Sequence, residues 1–302
     1  MEHQQKFQRI KTDFLMLMIA FIWGGGFTAQ QLAGKHIGSY LIVGIRFVGA
    51  AILLLFLLRF KLALPRKAIW QSAGVGMLLF AASSLQQVAL TVSTVGNAGF
   101  ITGMYVVFLP FFLALFWKKR LKWNVWLAVF LVTVGLFLLT NTGPAAFAFG
   151  DVLLLGCAML FAFQIIGMGN LVKTYDPVAV SCVQFFAAGV AGLSLSVFTE
   201  SNTLLGLQAA FWPMMFMIFL ATGVAFTLQS VAQKHAEPTD AAIFFSMESV
   251  FAALIGVVYL DERFLPLQWF GGVLMFTAMV LSQLELKHRS PKVNRSLNHS
   301  IE

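Results

Sequence analysis

Two charged side chains stand well inside long apolar runs of this sequence: Arg46, and Glu248 within the stretch Asp240-Ala-Ala-Ile-Phe-Phe-Ser-Met-Glu-Ser-Val-Phe251. A charge in such a run costs several kcal/mol unless it meets a partner or a water-lined path, so each marks a candidate site. A buried carboxylate can hold a substrate amine or a proton, and a buried guanidinium can hold a carboxylate. The same two groups could instead form a structural ion pair, or the Arg could snorkel outward. Gln86, Gln164, Gln184 and Gln229 add amides that need either a neighbouring helix or a solute as partner. Trp23, Tyr105 and Gln164 fall near the middle of their runs, where they could wall a cavity, although packing is the simpler role for an aromatic there. The substrate-binding set expected from the sequence is therefore Glu248, Arg46, Trp23, Gln86, Tyr105, Gln164, Gln184 and Gln229.

The elements that carry these residues follow from hydropathy. The chain is 59% hydrophobic and 11% charged, with mean hydropathy +0.85. That is too little charge to clothe a water-soluble surface, and it predicts an integral membrane protein. Ten apolar runs are long enough to span a bilayer: 13–32, 39–58, 69–90, 97–117, 123–140, 151–172, 178–198, 211–233, 239–260 and 266–285. They are too long for barrel strands, so all ten are expected to be helices. Residues 1–12 form an N-terminal tail, and the first run is read as a retained span rather than a cleaved signal. The segment 141–150, with Asn141-Thr-Gly-Pro144, links five runs (13–140) to five (151–285), and residues 286–302 form a polar tail.

Lys and Arg fix the expected orientation. Alternate loops and both tails collect seventeen of the twenty, the opposite side has two, Lys35 and Arg263, and Arg46 is within a span. The positive-inside bias then puts both termini in the cytoplasm of a multi-pass inner-membrane protein. The halves are also weak copies. At an offset of 143, Leu85-Gln86, Met104 and Val107-Phe108 meet the same residue types at Leu228-Gln229, Met247 and Val250-Phe251, while Tyr105 answers Glu248. The front parts align at an offset of 138, which matches Arg46 to Gln184. Five is an odd number of spans, so the second copy must be inverted in the membrane. Accordingly Lys118-Lys119-Arg120 aligns with Asp261-Glu262-Arg263 on the other face.

Local motifs then resemble one family. Phe21-Ile-Trp-Gly-Gly-Gly-Phe27 is similar to the first-helix signature of the drug/metabolite transporter superfamily, EamA type, and Gly44-Ile-Arg-Phe47 to its second helix. Phe100-Ile-Thr-Gly-Met-Tyr-Val-Val-Phe-Leu-Pro110 resembles its fourth, Gly150-Asp151 the start of its second repeat, and Met247-Glu-Ser-Val-Phe-Ala-Ala-Leu-Ile-Gly256 its ninth. The resemblance spans roughly residues 12–285 and implies a ten-helix secondary carrier of small metabolites, often acting outward. This chain departs from it at Ser249, where relatives often carry Pro, and at Asp261, where they often carry Gly; without the Pro a straighter ninth helix is expected.

The expected function is thus secondary transport, by alternating access, of a small polar or amphipathic metabolite such as an amino acid, with protons as a further partner of Glu248. A nucleotide-sugar or lipid-head-group carrier is the nearest alternative, and a membrane-embedded enzyme on lipid-linked substrates a more distant one. No catalytic cluster, phosphate loop or metal-ligand spacing is present, so no enzyme activity, cofactor or metal is expected, and the basic residues serve topology rather than nucleic acid. Cys157 and Cys182 lie in apolar runs and are not expected to pair. Gly99, Gly103, Ala242 and Ser246 give small-xxx-small faces for close helix contact; Gly24-Gly-Gly26 suits either a hinge or close packing; Glu237 and Asp240 suit the N-terminal charge and cap of the ninth helix. The fifth and tenth helices would support the bundle or form a homodimer.

Overall fold

The computed structural model describes residues 2–93, 95–140, 148–260 and 265–284, and every regular element among them is helical. The linker motif 141–144, the acidic pair at 261–262 with its Arg, and the tail 286–302 lie outside the described residues. In chain order the helices are α1 (Glu2–Gly34), α2 (Ser39–Leu57), α3 (Arg66–Ala89), α4 (Val95–Gly103), α5 (Tyr105–Trp117), α6 (Trp123–Thr140) and α7 (Phe149–Leu171). There follow α8 (Pro177–Thr199), α9 (Leu204–Ala209), α10 (Phe211–Phe216), a π-helical stretch (Met217–Val224), α11 (Ala225–Gln233), α12 (Pro238–Phe245), α13 (Glu248–Leu260) and α14 (Pro266–Leu284).

Among the described residues, seven stretches are long and apolar enough to cross a bilayer, namely 10–34, 39–57, 66–89, 98–117, 149–171, 177–199 and 211–233, and α6 and α14 hold shorter apolar segments. The outside of the bundle is correspondingly apolar: Phe14, Phe56, Phe111, Phe130, Phe186 and Phe198 are all more than half exposed. So many large apolar side chains facing outward fit a lipid solvent rather than water. The first helix begins at Glu2, well ahead of its apolar run, so residues 2–12 continue the helix.

Glycine decides which helices touch. A Cβ on Gly192 of α8 would stand 2.7 Å from the Gly44 nitrogen of α2, and one on Gly189 would stand 2.5 Å from the Val48 nitrogen. Only hydrogen side chains let two backbones approach so closely. α6 and α14 cross in the same manner, with the Gly135 position 2.8 Å from the Gly271 carbonyl. These two pairs tie the front of the chain to its back. Around them, α3, α4 and α5 gather on α7, whereas α1 packs on α10 to α13; α1 and α3 touch each other only sparsely. Gly24 belongs to this packing rather than to a hinge: α1 is unbroken there, and a Cβ would lie 2.8 Å from the Ala252 nitrogen.

The start of α2 is held by a residue from the far half. The Glu200 carboxylate, at the end of α8, accepts from the Tyr40 nitrogen (2.7 Å), the Leu41 nitrogen (3.0 Å) and the Ser196 hydroxyl (2.8 Å). Asn202 adds a bond from the Gly38 nitrogen (2.8 Å). An anion at a helix N-terminus satisfies free N–H groups and opposes the helix dipole. Glu200→Ala is expected to cost about 2 kcal/mol, a fall of several degrees in the unfolding midpoint in detergent, with Glu200→Gln intermediate.

The ninth predicted span is not straight. It is split at Ser246 and Met247 into α12 and α13, so the expectation of a straighter helix without the Pro is corrected. The local cause is a tightened turn: the Met247 nitrogen bonds to the Phe244 carbonyl and the Ser249 nitrogen to the Ser246 carbonyl, each three residues back. The Ser246 hydroxyl also donates to the Ile243 carbonyl (2.7 Å), and Ser249 donates away from its own helix to the Gly99 carbonyl (3.1 Å). Serine back-bonding and three-residue turns are known ways to bend a helix without proline. The fourth span breaks in the same way at Met104, the residue that aligns with Met247.

Candidate functional site

Both breaks deliver a side chain to the centre of the bundle. Tyr105 is the first residue of α5 and Glu248 the first of α13, and the Tyr105 hydroxyl donates to the Glu248 carboxylate (3.3 Å). Two residues that the repeat alignment pairs at an offset of 143 therefore touch. Each is buried, Glu248 to 5% exposure.

They face a cavity of about 570 Å³ including its mouth. Its wall holds seven of the eight predicted residues: Trp23, Arg46, Gln86, Tyr105, Gln164, Gln229 and Glu248. Gln184 is the exception. It is fully buried behind Gln164, whose side-chain nitrogen donates to it (3.3 Å), and so it braces the wall from outside. Gln229 donates in turn to Gln164 (3.3 Å), making a row of three amides, and Gln86 donates to Thr102 (3.3 Å).

Arg46 does not pair with Glu248. Among the described residues no carboxylate lies within ion-pair distance of its guanidinium, the ion pairs being those of Glu237. One Arg46 nitrogen donates to the Gln30 side-chain oxygen and another to the Ser83 hydroxyl, both at 3.2 Å, while Nε has no partner. At 4% exposure the side chain does not snorkel either, and its cationic carbon lies 4.5 Å from the Phe47 ring centre. A buried cation among neutral acceptors, with one N–H free, is a ready site for an oxyanion.

The apolar wall has its own order. Trp23 packs on Phe226 and Phe245 at ring distances of 4.7 and 5.4 Å, and its N–H donates to the Ala221 carbonyl (3.0 Å). Ala221 is in the π-helical stretch, a distortion that often marks functional positions. Phe27 and Phe161 complete this side. The cavity thus offers a guanidinium, a carboxyl group, several amides and an aromatic surface, a combination suited to a small amphipathic solute.

Several wall residues escaped the sequence reading: Gln30, Thr102 and, behind Arg46, Ser83. Gln30 carried a usable signal as an amide inside the first apolar run; Thr102 and Ser83 carried none, because hydroxyls in spans often bond to their own helix. Glu237 and Asp240 supply the expected negative charge at the start of α12, but the cap bond is missing. Glu237 occupies the N-cap of α12 and instead pairs with Lys119 (3.7 Å) and Lys173 (3.3 Å). Gly103 does serve packing, its Cβ position lying 3.3 Å from Leu136 and 3.6 Å from the Ser249 hydroxyl. Cys157 and Cys182 are free and buried.

The profile of the EamA-like transporter family matches residues 10–141 and again 148–284. The chain belongs to the EamA-like transporter family. An uncharacterized transporter of Archaeoglobus fulgidus is 31% identical to this EamA-like chain over 283 residues, covering 92% of the chain and 88% of the relative. The uncharacterized inner membrane transporter YedA of Escherichia coli is 22% identical over 88% of the chain and 89% of its own length. YwfM, an uncharacterized transporter of Bacillus subtilis, is 26% identical over 89% of the chain and 92% of its own length. A solved crystal structure superimposes with a TM-score of 0.76 over 91% of this chain and 96% of that one; at 13% identity the likeness is one of fold. The EamA-like chain is accordingly a multi-pass membrane protein of a transporter family.

Proposed function

We propose that this EamA-like protein is a secondary carrier that exports a small polar or amphipathic metabolite, such as an amino acid, across the inner membrane by alternating access. Ten spans form two inverted halves: α1 corresponds to α7, α2 to α8, α3 to α10–α11, α4–α5 to α12–α13, and α6 to α14. The packing supports this reading, since α3 on α7 answers α1 on α10 and α11, and α1 on α13 answers α5 on α7. The matched breaks at Met104 and Met247 support it as well. Both termini face the cytoplasm, a reading that the distribution of Lys and Arg supports.

One observation carries the proposal: Arg46 and Glu248 face the same cavity without pairing, so each keeps capacity for a solute. Arg46 receives the carboxylate, Glu248 the amine or a proton, and the aromatic wall around Trp23 the side chain. The test is thermal stabilisation of the purified protein over metabolite pools, because a ligand that binds the folded state raises its unfolding midpoint. Carboxylate-bearing solutes should stabilise the protein, and Arg46→Gln should weaken the response about tenfold or more in affinity. An unchanged response in that variant would remove Arg46 from the site.

A further inference from the structure

Arg46 reaches in two directions. Gln30, which takes one of its arms, belongs to α1, and Ser83, which takes the other, belongs to α3. α1 packs with α10 to α13 and α3 with α7 and α8, and α1 and α3 themselves touch only sparsely, so the guanidinium is one of the few links between these two helices. A second bond follows the same path, from the Gln87 side chain of α3 to the Gln30 carbonyl (3.1 Å). Arg46 itself stands on α2, which is fixed to α8 by the glycine crossing. It is therefore a clasp mounted on the α2–α8 pair.

The clasp holds a cation with neutral oxygens only. An oxyanion adds the opposite charge and can take two parallel N–H groups of the fork at once, so in the cavity it competes well with these neutral acceptors for the same N–H groups. Nε, buried and without a partner, is a further N–H that these neutral acceptors leave unsatisfied. We infer that Gln30 and Ser83 are positioning residues that make Arg46 a tie between α1 and α3, and that an oxyanion entering the cavity replaces them and loosens the tie. A ligand shifts a conformational equilibrium only by binding one state better than another. Here the preference has a source: the anion binds better once the two bonds to neutral acceptors are released. This inference rests on the carrier reading of the cavity and adds the step by which cargo changes the packing of the helices.

The test uses benzoate, with benzamide as its uncharged counterpart. Leu90 is 5% exposed at the end of α3, in an apolar cluster with Phe27 of α1, so a Leu90→Cys reporter senses whether that seam opens. Both native cysteines are buried, and the parent protein supplies the background rate of reaction with N-ethylmaleimide. Benzoate should speed modification of the reporter several-fold and benzamide should not. Gln30→Leu and Ser83→Ala should each raise the ligand-free rate by a similar factor and leave benzoate little to add, whereas Ser83→Thr, which keeps the hydroxyl, should restore the parent behaviour. Ligand-free rates unchanged in Gln30→Leu and Ser83→Ala, or a reporter indifferent to benzoate, would overturn the tie. Counterflow of the solute found by thermal screening, measured on the same preparations, separates the two ideas. Exchange with an unresponsive reporter overturns the tie alone, and a responsive reporter without any exchange overturns the carrier reading alone.

Discussion

Glu248→Gln is expected to reduce transport at saturating solute by about 10- to 100-fold while leaving the protein folded. The magnitude follows from the ~1.5–3 kcal/mol typical of a hydrogen bond to a charged group, at a factor of ten per ~1.4 kcal/mol. Folding should survive because the amide oxygen of Gln can still accept from Tyr105, which lies 3.3 Å from the carboxylate. The loss belongs to the acid function: Gln neither binds a proton nor attracts an ammonium group. Tyr105→Phe removes one neutral donor and should be milder, about fivefold. Counterflow in proteoliposomes reads both variants. Equal rates for Glu248→Gln and the parent would mean that the carboxylate serves packing alone.

The second large effect is on stability. Gly192→Val should lower the unfolding midpoint in detergent by about 10 °C, or prevent accumulation of folded protein. Its Cβ would lie 2.7 Å from the Gly44 nitrogen, 2.8 Å from the Gly44 Cα and 3.1 Å from the Tyr40 carbonyl. These are backbone atoms, so relief requires α2 and α8 to separate along their crossing. Overpacking of this kind costs about 3 kcal/mol or more, at a few degrees per kcal/mol for a chain of this size. Gly74→Ala supplies the contrast. Nothing lies within 4 Å of its Cβ position, and exchanging Gly for Ala within α3 should raise stability by about 0.5–1 kcal/mol.

The membrane class was legible in the sequence because length and hydropathy are properties of single runs. Most of the polar residues of the cavity wall were legible for a related reason: Arg46, Glu248 and the amides are costly in apolar surroundings, and that cost is visible before any fold is known. Their partners were not. Depth alone left Arg46 and Glu248 free to pair, and only the positions of α1 and α3 direct the guanidinium to Gln30 and Ser83. Gln184 shows the same limit, since the sequence does not separate a lining amide from one that stands behind Gln164 of α7. The break ahead of Glu248 was hidden because it comes from serine hydroxyls and a tightened turn rather than from proline. Glu200 carries no signal in the sequence beyond its place at the end of a run, although its carboxylate caps a helix 160 positions away.

The central claim is that the Arg46–Glu248 cavity carries a solute across the bilayer. Counterflow measures this directly: proteoliposomes loaded with the solute that most stabilises the protein take up the same solute, labelled, from outside. Saturable uptake that depends on internal solute and collapses in Glu248→Gln is the predicted result. Stabilisation by the solute without exchange, or chemical conversion of the label in place of its movement, would contradict it.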